Sequence, residues 1–315
     1  PWGANSFGYP AACGGVVHSD VQYVTRSEMD LNKKFPEKRV VITGAGSGLG
    51  RALALEFAKR KWRVAIAEIN DERAKETAEM VKQAGGEALT IHCDVTRPED
   101  LDRVLQKILE AWQGVDILIN NAGVASAGWF EKIPLEKWNW IIGINTNSII
   151  HGCRSFIPYF KERKAGYIVN VASNAGIASL PEMASYNVTK AAAISLSETL
   201  RIELAASNIG VSVVCPTFFK TNLMDQFSSP DERQRQLANA FFRNAQITSA
   251  KVAQHTIQSI EKNRFYVITQ KDGRNIWRMK RFTPELYFKV FGLVYKTGFF
   301  DRHLVRFLKI LNIVG

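Results

Sequence analysis

Tyr186 and Lys190 stand at i and i+4 of a helix-period stretch, which puts a phenol and an ammonium on one face and within reach of one site. A phenol has a reference pKa of about 10 and serves as an acid or base near neutrality only when a cation stabilises its anion. Lys190 is placed to be that cation. Ser173 precedes the pair and follows the apolar run Tyr167 to Val171, at the carboxyl end of an expected strand, where open α/β sheets hold their ligands. Together these three side chains could hold an oxygen and exchange a proton with it. A Tyr and a Lys at this spacing also arise on ordinary exposed helix faces, so the pair acquires meaning only from its surroundings.

A second cluster lies near the start. Val40-Val41-Ile42 runs into Thr43-Gly44-Ala45-Gly46-Ser47-Gly48-Leu49-Gly50 and then into the helical stretch from Arg51. A glycine-rich turn between a strand and a helix lets backbone N–H groups approach a pyrophosphate at the positive helix end, and Gly44, Ser47, Gly48, Leu49 and Gly50 are the expected contacts. The glycines could also serve only a tight turn, because their spacing is not that of the common dinucleotide fingerprint. The second apolar run ends at Glu68, where such folds meet the adenosine ribose. A carboxylate there accepts from the 2′-hydroxyl and repels a 2′-phosphate, which favours NAD over NADP.

The elements that must position these groups are legible as apolar runs alternating with helix-period stretches. The runs are 40–42, 64–67, 88–91, 117–119, 167–171, 211–214 and 265–268. They are too continuously apolar for a half-exposed antiparallel sheet and read as parallel strands covered on both faces. Helical stretches are expected over 51–61, 72–84, 98–112, 135–163 and 185–207. This alternation predicts a doubly wound α/β domain with a parallel sheet over residues 37–270, preceded by an arm over 1–36 and followed by an extension over 271–315.

Gly44/Gly48/Gly50, Asn120-Asn121-Ala122-Gly123 after the fourth strand, Ser173 and Tyr186/Lys190, in this order, resemble the short-chain dehydrogenase/reductase family over about 38–270. The resemblance implies a Rossmann fold and an NAD(P)-dependent oxidoreductase interconverting an alcohol and a ketone or aldehyde. It implies that Ser173 orients the substrate oxygen, that Tyr186 transfers the proton, and that Lys190 lowers the Tyr186 pKa and holds the nicotinamide ribose. It makes Asn145 the match for an Asn supporting a proton relay, with Asn147 as the rival. It carries cofactor contacts onto Asp94, Val95, Asn121, Ala122, Gly123 and Thr221, and it implies a homodimer or homotetramer through the helices bearing Asn145 and Tyr186. Thr217 stands where the family usually has Gly, which leaves the local backbone open. A non-catalytic dinucleotide-binding sensor or scaffold with a membrane-surface tail is the alternative, disfavoured by the intact Asn145, Ser173, Tyr186 and Lys190.

Substrate contacts are expected from Ile177, Ala178, Leu180 and Met183 and from a covering stretch over 218–248. The latter opens with Phe218, Phe219, Leu223, Met224 and Phe227. Either these pack on an apolar substrate or the stretch packs on the protein itself.

A chain of 315 residues with 46% apolar side chains is neither disordered nor a small disulfide scaffold. Its net charge of +11 is gathered at the end: residues 271–315 hold ten Lys/Arg against three acids. Pro284 can start a helix carrying Leu286, Tyr287, Val290, Phe291 and Val294, and a second is expected from Asp301. An apolar stripe with a basic flank over 284–315 either lies on an anionic membrane surface or docks on this subunit. No nucleic-acid motif accompanies the charge. The scattered Cys13, Cys93, Cys153 and Cys215 fit a reducing compartment, and no signal segment or membrane span is read, so a cytoplasmic location is expected. The histidines lack ligand spacing, and no metal is expected.

Overall fold

The computed structural model describes residues 30–297. Most of the expected arm and the expected helix from Asp301 lie outside the described residues. Seven strands form one sheet: β1 (Arg39–Thr43), β2 (Arg63–Glu68), β3 (Glu87–His92), β4 (Ile117–Asn120), β5 (Gly166–Val171), β6 (Ile209–Val214) and β7 (Tyr266–Val267). Their order is β3-β2-β1-β4-β5-β6-β7, and every pairing is parallel.

The helices are α1 (Leu31–Lys34), α2 (Gly48–Ala58), α3 (Asp71–Gln83), α4 (Pro98–Trp112), α5 (Leu135–Ile142), α6 (Ser148–Arg163), α7 (Ala175–Ala178), α8 (Ala184–Glu203), α9 (Glu232–Asn244), α10 (Ser249–Glu261), α11 (Lys271–Phe282) and α12 (Pro284–Lys296). Alternate residues of one strand enter different cores. Val40 and Ile42 pack with Leu53 and Phe57 of α2 and Val252 and Ile257 of α10. Val41 packs with Val104 and Ile108 of α4 and Phe156 of α6 on the other face. The expected doubly wound α/β Rossmann fold is therefore present, with both sheet faces covered as the continuous apolar runs require.

From β1 the chain steps outward to β2 and β3, then returns to β4 on the other side. This reversal opens a crevice at the carboxyl ends of β1 and β4, the place where such sheets bind ligands.

Two elements differ from expectation. The stretch 135–163 is not one helix, because α5 and α6 are joined by a π turn, Gly143–Asn147, on which Asn145 sits. Such turns widen the helix locally and redirect a side chain, and they recur at functional sites. The extension also begins with a helix that the sequence reading did not place, α11. Its Lys280 ammonium donates to the Ile177 carbonyl at 2.6 Å, and Tyr287 of α12 donates to the Ala178 carbonyl at 2.6 Å. Residues 271–297 are thus docked on this subunit, while Phe282, Leu286 and Leu293 remain 76, 55 and 64% exposed. Among the described residues no helix is long and apolar enough to cross a membrane.

Candidate active site

The glycine turn is held to the sheet at the crevice. Asn121 donates through Nδ2 to the Thr43 and Gly44 carbonyls at 2.9 and 3.1 Å, and the N–H groups of Asn121 and Ala122 donate to Thr43 Oγ1 at 3.0 and 3.1 Å. Gly44 has a φ of 63°, in the left-handed region, and a Cβ there would lie 2.9 Å from the Ala122 Cα. A Cβ on Gly50 would run into the Gly44 carbonyl and lie 2.5 Å from Asn121 Nδ2. Both positions therefore require glycine, the first for conformation and the second for close packing. Helix α2 begins in this turn with no side chain capping it, so its first N–H groups are available to an anion.

Glu68 ends β2 beside the turn. Its carboxylate accepts from the Gly46 N–H at 2.9 Å and from those of Ile69 and Asn70 at 3.1 Å each. These bonds fix an anionic group at the rim of the crevice. Farther along, Asp94 Oδ1 accepts from the Thr96 N–H and hydroxyl at 3.0 and 2.7 Å. Thr221 leans over the start of α2: a Cβ on Gly48 would lie 2.7 Å from its hydroxyl.

Tyr186 and Lys190 project from α8, and Ser173 lies just beyond β5. Burial pushes the Tyr186 phenol up to about 12, against a hydrogen bond from Ser173 that pulls it down. Burial pushes the Lys190 ammonium down to about 8. Lys190 Nζ lies 5.7 Å from the Tyr186 ring centre and donates to the Val171 carbonyl at 3.0 Å. Ser173 Oγ accepts from the Ala175 N–H at 3.1 Å. At neutral pH the phenol therefore carries its proton.

Asn145 is fully buried and ties three segments. It donates to the Val124 carbonyl at 2.9 Å and to Thr189 Oγ1 at 3.1 Å, and its Oδ1 accepts from the Val124 N–H at 2.8 Å. Asn147 is exposed. Of the two, Asn145 is the buried one, bonded to Val124 and to Thr189 on the helix that carries Tyr186.

One cavity of about 1350 Å³ joins these groups. Its walls include Gly44, Ser47, Gly48, Leu49, Glu68, Asp94, Val95, Asn121, Ala122, Gly123, Ser173, Tyr186, Lys190 and Thr221. Gly50 and Asn145 stand behind the wall. The volume exceeds the roughly 300–1,000 Å³ of a typical ligand pocket, as a dinucleotide together with a substrate would require. The glycine cradle, the uncapped helix start and the Glu68 carboxylate beside them fit a nicotinamide dinucleotide. Among the described residues no acidic, His or Cys cluster could hold a metal.

Ala178, Leu180 and Met183 line the cavity, whereas Ile177 packs into the core and Met224 stays outside the wall. Phe218, Phe219, Leu223 and Phe227 do line it, and Phe218 also stacks on Phe241 at 4.8 Å. The covering stretch therefore packs on itself and presents an apolar wall. The sequence reading missed the wall contributed by α11 and α12, including Ile276, Met279, Phe291 and Tyr295. The spacing of Ile276 and Met279 in a basic stretch was the available signal. Thr217, in the usual Gly position, donates its N–H to Gln270 Oε1 at 3.0 Å, a bond that joins the segment after β6 to the residue before α11.

The chain is similar to known proteins. The profile of the short chain dehydrogenase family matches residues 38–232. A CLA biosynthesis dehydrogenase/reductase of Lactiplantibacillus plantarum is 32% identical over 259 residues, covering 76% of this chain and 90% of that protein. A 3beta-hydroxysteroid dehydrogenase 1 of Eggerthella lenta is 34% identical over 199 residues, 62% of this chain and 76% of its own. Among solved structures, a short chain dehydrogenase/reductase from Burkholderia phymatum in complex with NAD is similar, with a TM-score of 0.75 and 32% identity. The match covers 80% of this chain and 96% of that one.

Proposed function

This chain belongs to the short-chain dehydrogenase family and is an oxidoreductase, and from that premise we propose that it interconverts a bulky apolar alcohol and its carbonyl compound with NAD. The observation that carries the proposal is the buried Tyr186–Lys190 pair, beside Ser173, on a cavity shared with the glycine turn. Ser173 orients the reacting oxygen. Tyr186 gives a proton to it or takes one from it. Lys190 sets the charge felt by the phenol, and Asn145 fixes the backbone of Val124 and the helix behind the pair. A bound nicotinamide supplies or accepts the hydride. Gly44, Ser47, Gly48 and Leu49 hold the pyrophosphate, with Gly50 behind them letting α2 pack against the turn, Glu68 holds the adenosine ribose, and Asp94 and Val95 the adenine side. Asn121, Ala122, Gly123 and Thr221 complete that shell.

The glycine turn and Glu68 support NAD, and the phenylalanine-rich wall supports an apolar substrate. A panel of secondary alcohols of graded size, followed at the nicotinamide absorbance with NAD and NADP, tests both. Turnover should be NAD-dependent and should rise with apolar bulk; absence of turnover with every alcohol and ketone contradicts the proposal. Ile150 on α6 and Val188 on α8, 44 and 51% exposed, support assembly through those helices.

For the extension, the exposed Phe282, Leu286 and Leu293 beside Lys289 and Lys296 support contact with an anionic lipid surface. The protein should then co-sediment with phosphatidylserine vesicles and not with neutral ones, and a Leu286→Glu/Leu293→Glu variant should stay in solution. Equal sedimentation of that variant would contradict this reading.

A further inference from the structure

Glu182 lies in the loop between α7 and α8 with a φ of 57°, a left-handed conformation uncommon for a residue with a side chain. Such a backbone persists only where its surroundings determine it. Here three segments do so. The Glu182 carboxylate, 13% exposed, accepts on Oε2 from Arg233 Nη2 and Gln234 Nε2, each at 2.6 Å. Its Oε1 accepts from the Tyr295 hydroxyl at 3.0 Å. Its carbonyl accepts from the Gly128 N–H at 2.7 Å. Arg233 and Gln234 open α9 in the covering stretch, Tyr295 ends α12, and Gly128 belongs to the loop after β4. Glu182, Arg233, Gln234 and Tyr295 all face the cavity.

One carboxylate thus gathers the covering stretch, the extension and the loop before Tyr186 around the substrate end. Charge-assisted bonds of this length are the stronger class, and they define an orientation as well as a contact. The walls they hold, through Phe241 on α9 and Phe291 on α12, line the same cavity as Ser173 and Tyr186. Contacts remote from the reacting atoms contribute to catalysis only when the walls making them are held in place.

We propose that Glu182 is a positioning residue that fixes the enclosed substrate pocket and thereby sets the preference for bulky apolar substrates. This rests on the alcohol dehydrogenase reading above. It adds that a polar knot, in addition to the apolar wall, decides substrate size.

The test compares Glu182→Ala, Glu182→Gln and Tyr295→Phe in the full chain, with 2-propanol and with a cyclic secondary alcohol of two or more fused rings. Glu182→Ala should lower kcat/KM for the large alcohol by about tenfold, mainly through KM, and for 2-propanol by less than about threefold. Glu182→Gln keeps an acceptor for Tyr295 and should recover part of that loss, and Tyr295→Phe should lose less than Glu182→Ala. NAD affinity, read by nicotinamide fluorescence, should not follow these changes. Equal losses for both alcohols, or none for either, would overturn the proposal. Limited proteolysis separates its failure from that of the activity reading. If no alcohol is turned over, faster cleavage between 229 and 244 in Glu182→Ala still supports the knot, and unchanged cleavage overturns it.

Discussion

The Lys190 ammonium lies 5.7 Å from the centre of the Tyr186 ring while donating to the Val171 carbonyl at 3.0 Å, so one helix face and one strand end jointly set the distance between cation and phenol. Burial acts on both groups in the direction of neutrality, pushing Tyr186 up to about 12 and Lys190 down to about 8. Burial away from water is the main cause of the Lys190 shift, which is one way active sites tune a lysine.

This has a consequence for stability. A lysine whose folded pKa is lowered from 10.5 to about 8 binds fewer protons in the folded than in the unfolded chain between those values. Its contribution is fully present above pH 10.5 and is lost as pH falls through about 8. Lys190→Met removes that dependence. The stability of the wild type relative to Lys190→Met should therefore rise between pH 8 and 10.5, by at most about 3 kcal/mol, in denaturant titrations at each pH. A pH-independent difference would contradict a buried, desolvated ammonium.

Asn145 satisfies both the N–H and the carbonyl of Val124 from a fully buried position. Asn145→Ala leaves those groups without partners and should cost about 2 kcal/mol, lowering Tm by roughly 5 °C. Asn147→Ala, at an exposed position, should change Tm by less than about 1 °C. Calorimetry of the two variants distinguishes the buried Asn from its neighbour.

In the proposed cofactor reading, Glu68 places a carboxylate where a 2′-phosphate would have to sit. Glu68→Ala should lower the ratio of kcat/KM with NAD to that with NADP by at least about tenfold, since a like-charge juxtaposition costs several kcal/mol. Steady-state kinetics with both cofactors measures it, and an unchanged ratio would show that Glu68 serves only to hold the Gly46, Ile69 and Asn70 N–H groups.

The strands were legible because parallel strands covered on both faces need unbroken apolar runs, and Val40 to Ile42 or Tyr167 to Val171 can serve little else. The glycine turn was legible because Gly44 and Gly50 answer to backbone geometry within a few residues. The π turn around Asn145 was not. It depends on bonds to Val124 and Thr189, far away in the chain, and nothing local distinguishes it from continued helix. Helix α11 was missed because few apolar residues, Ile276 and Met279 among them, stand amid Lys271, Arg274, Arg278, Lys280 and Arg281. Its docking rests on Lys280 reaching the carbonyl after α7 begins, a tertiary bond without periodicity. Glu182 carried no signal at all: a lone acid in a loop, whose partners lie at 233, 234 and 295.

In the proposed reaction Tyr186 moves the proton that accompanies hydride transfer. Tyr186→Phe keeps the ring and removes only the hydroxyl. With the best alcohol of the size panel, kcat of the variant should fall by about a thousandfold, within the range of general acid–base catalysis, while NAD affinity by nicotinamide fluorescence stays within about twofold. Near-normal turnover by Tyr186→Phe would contradict the account.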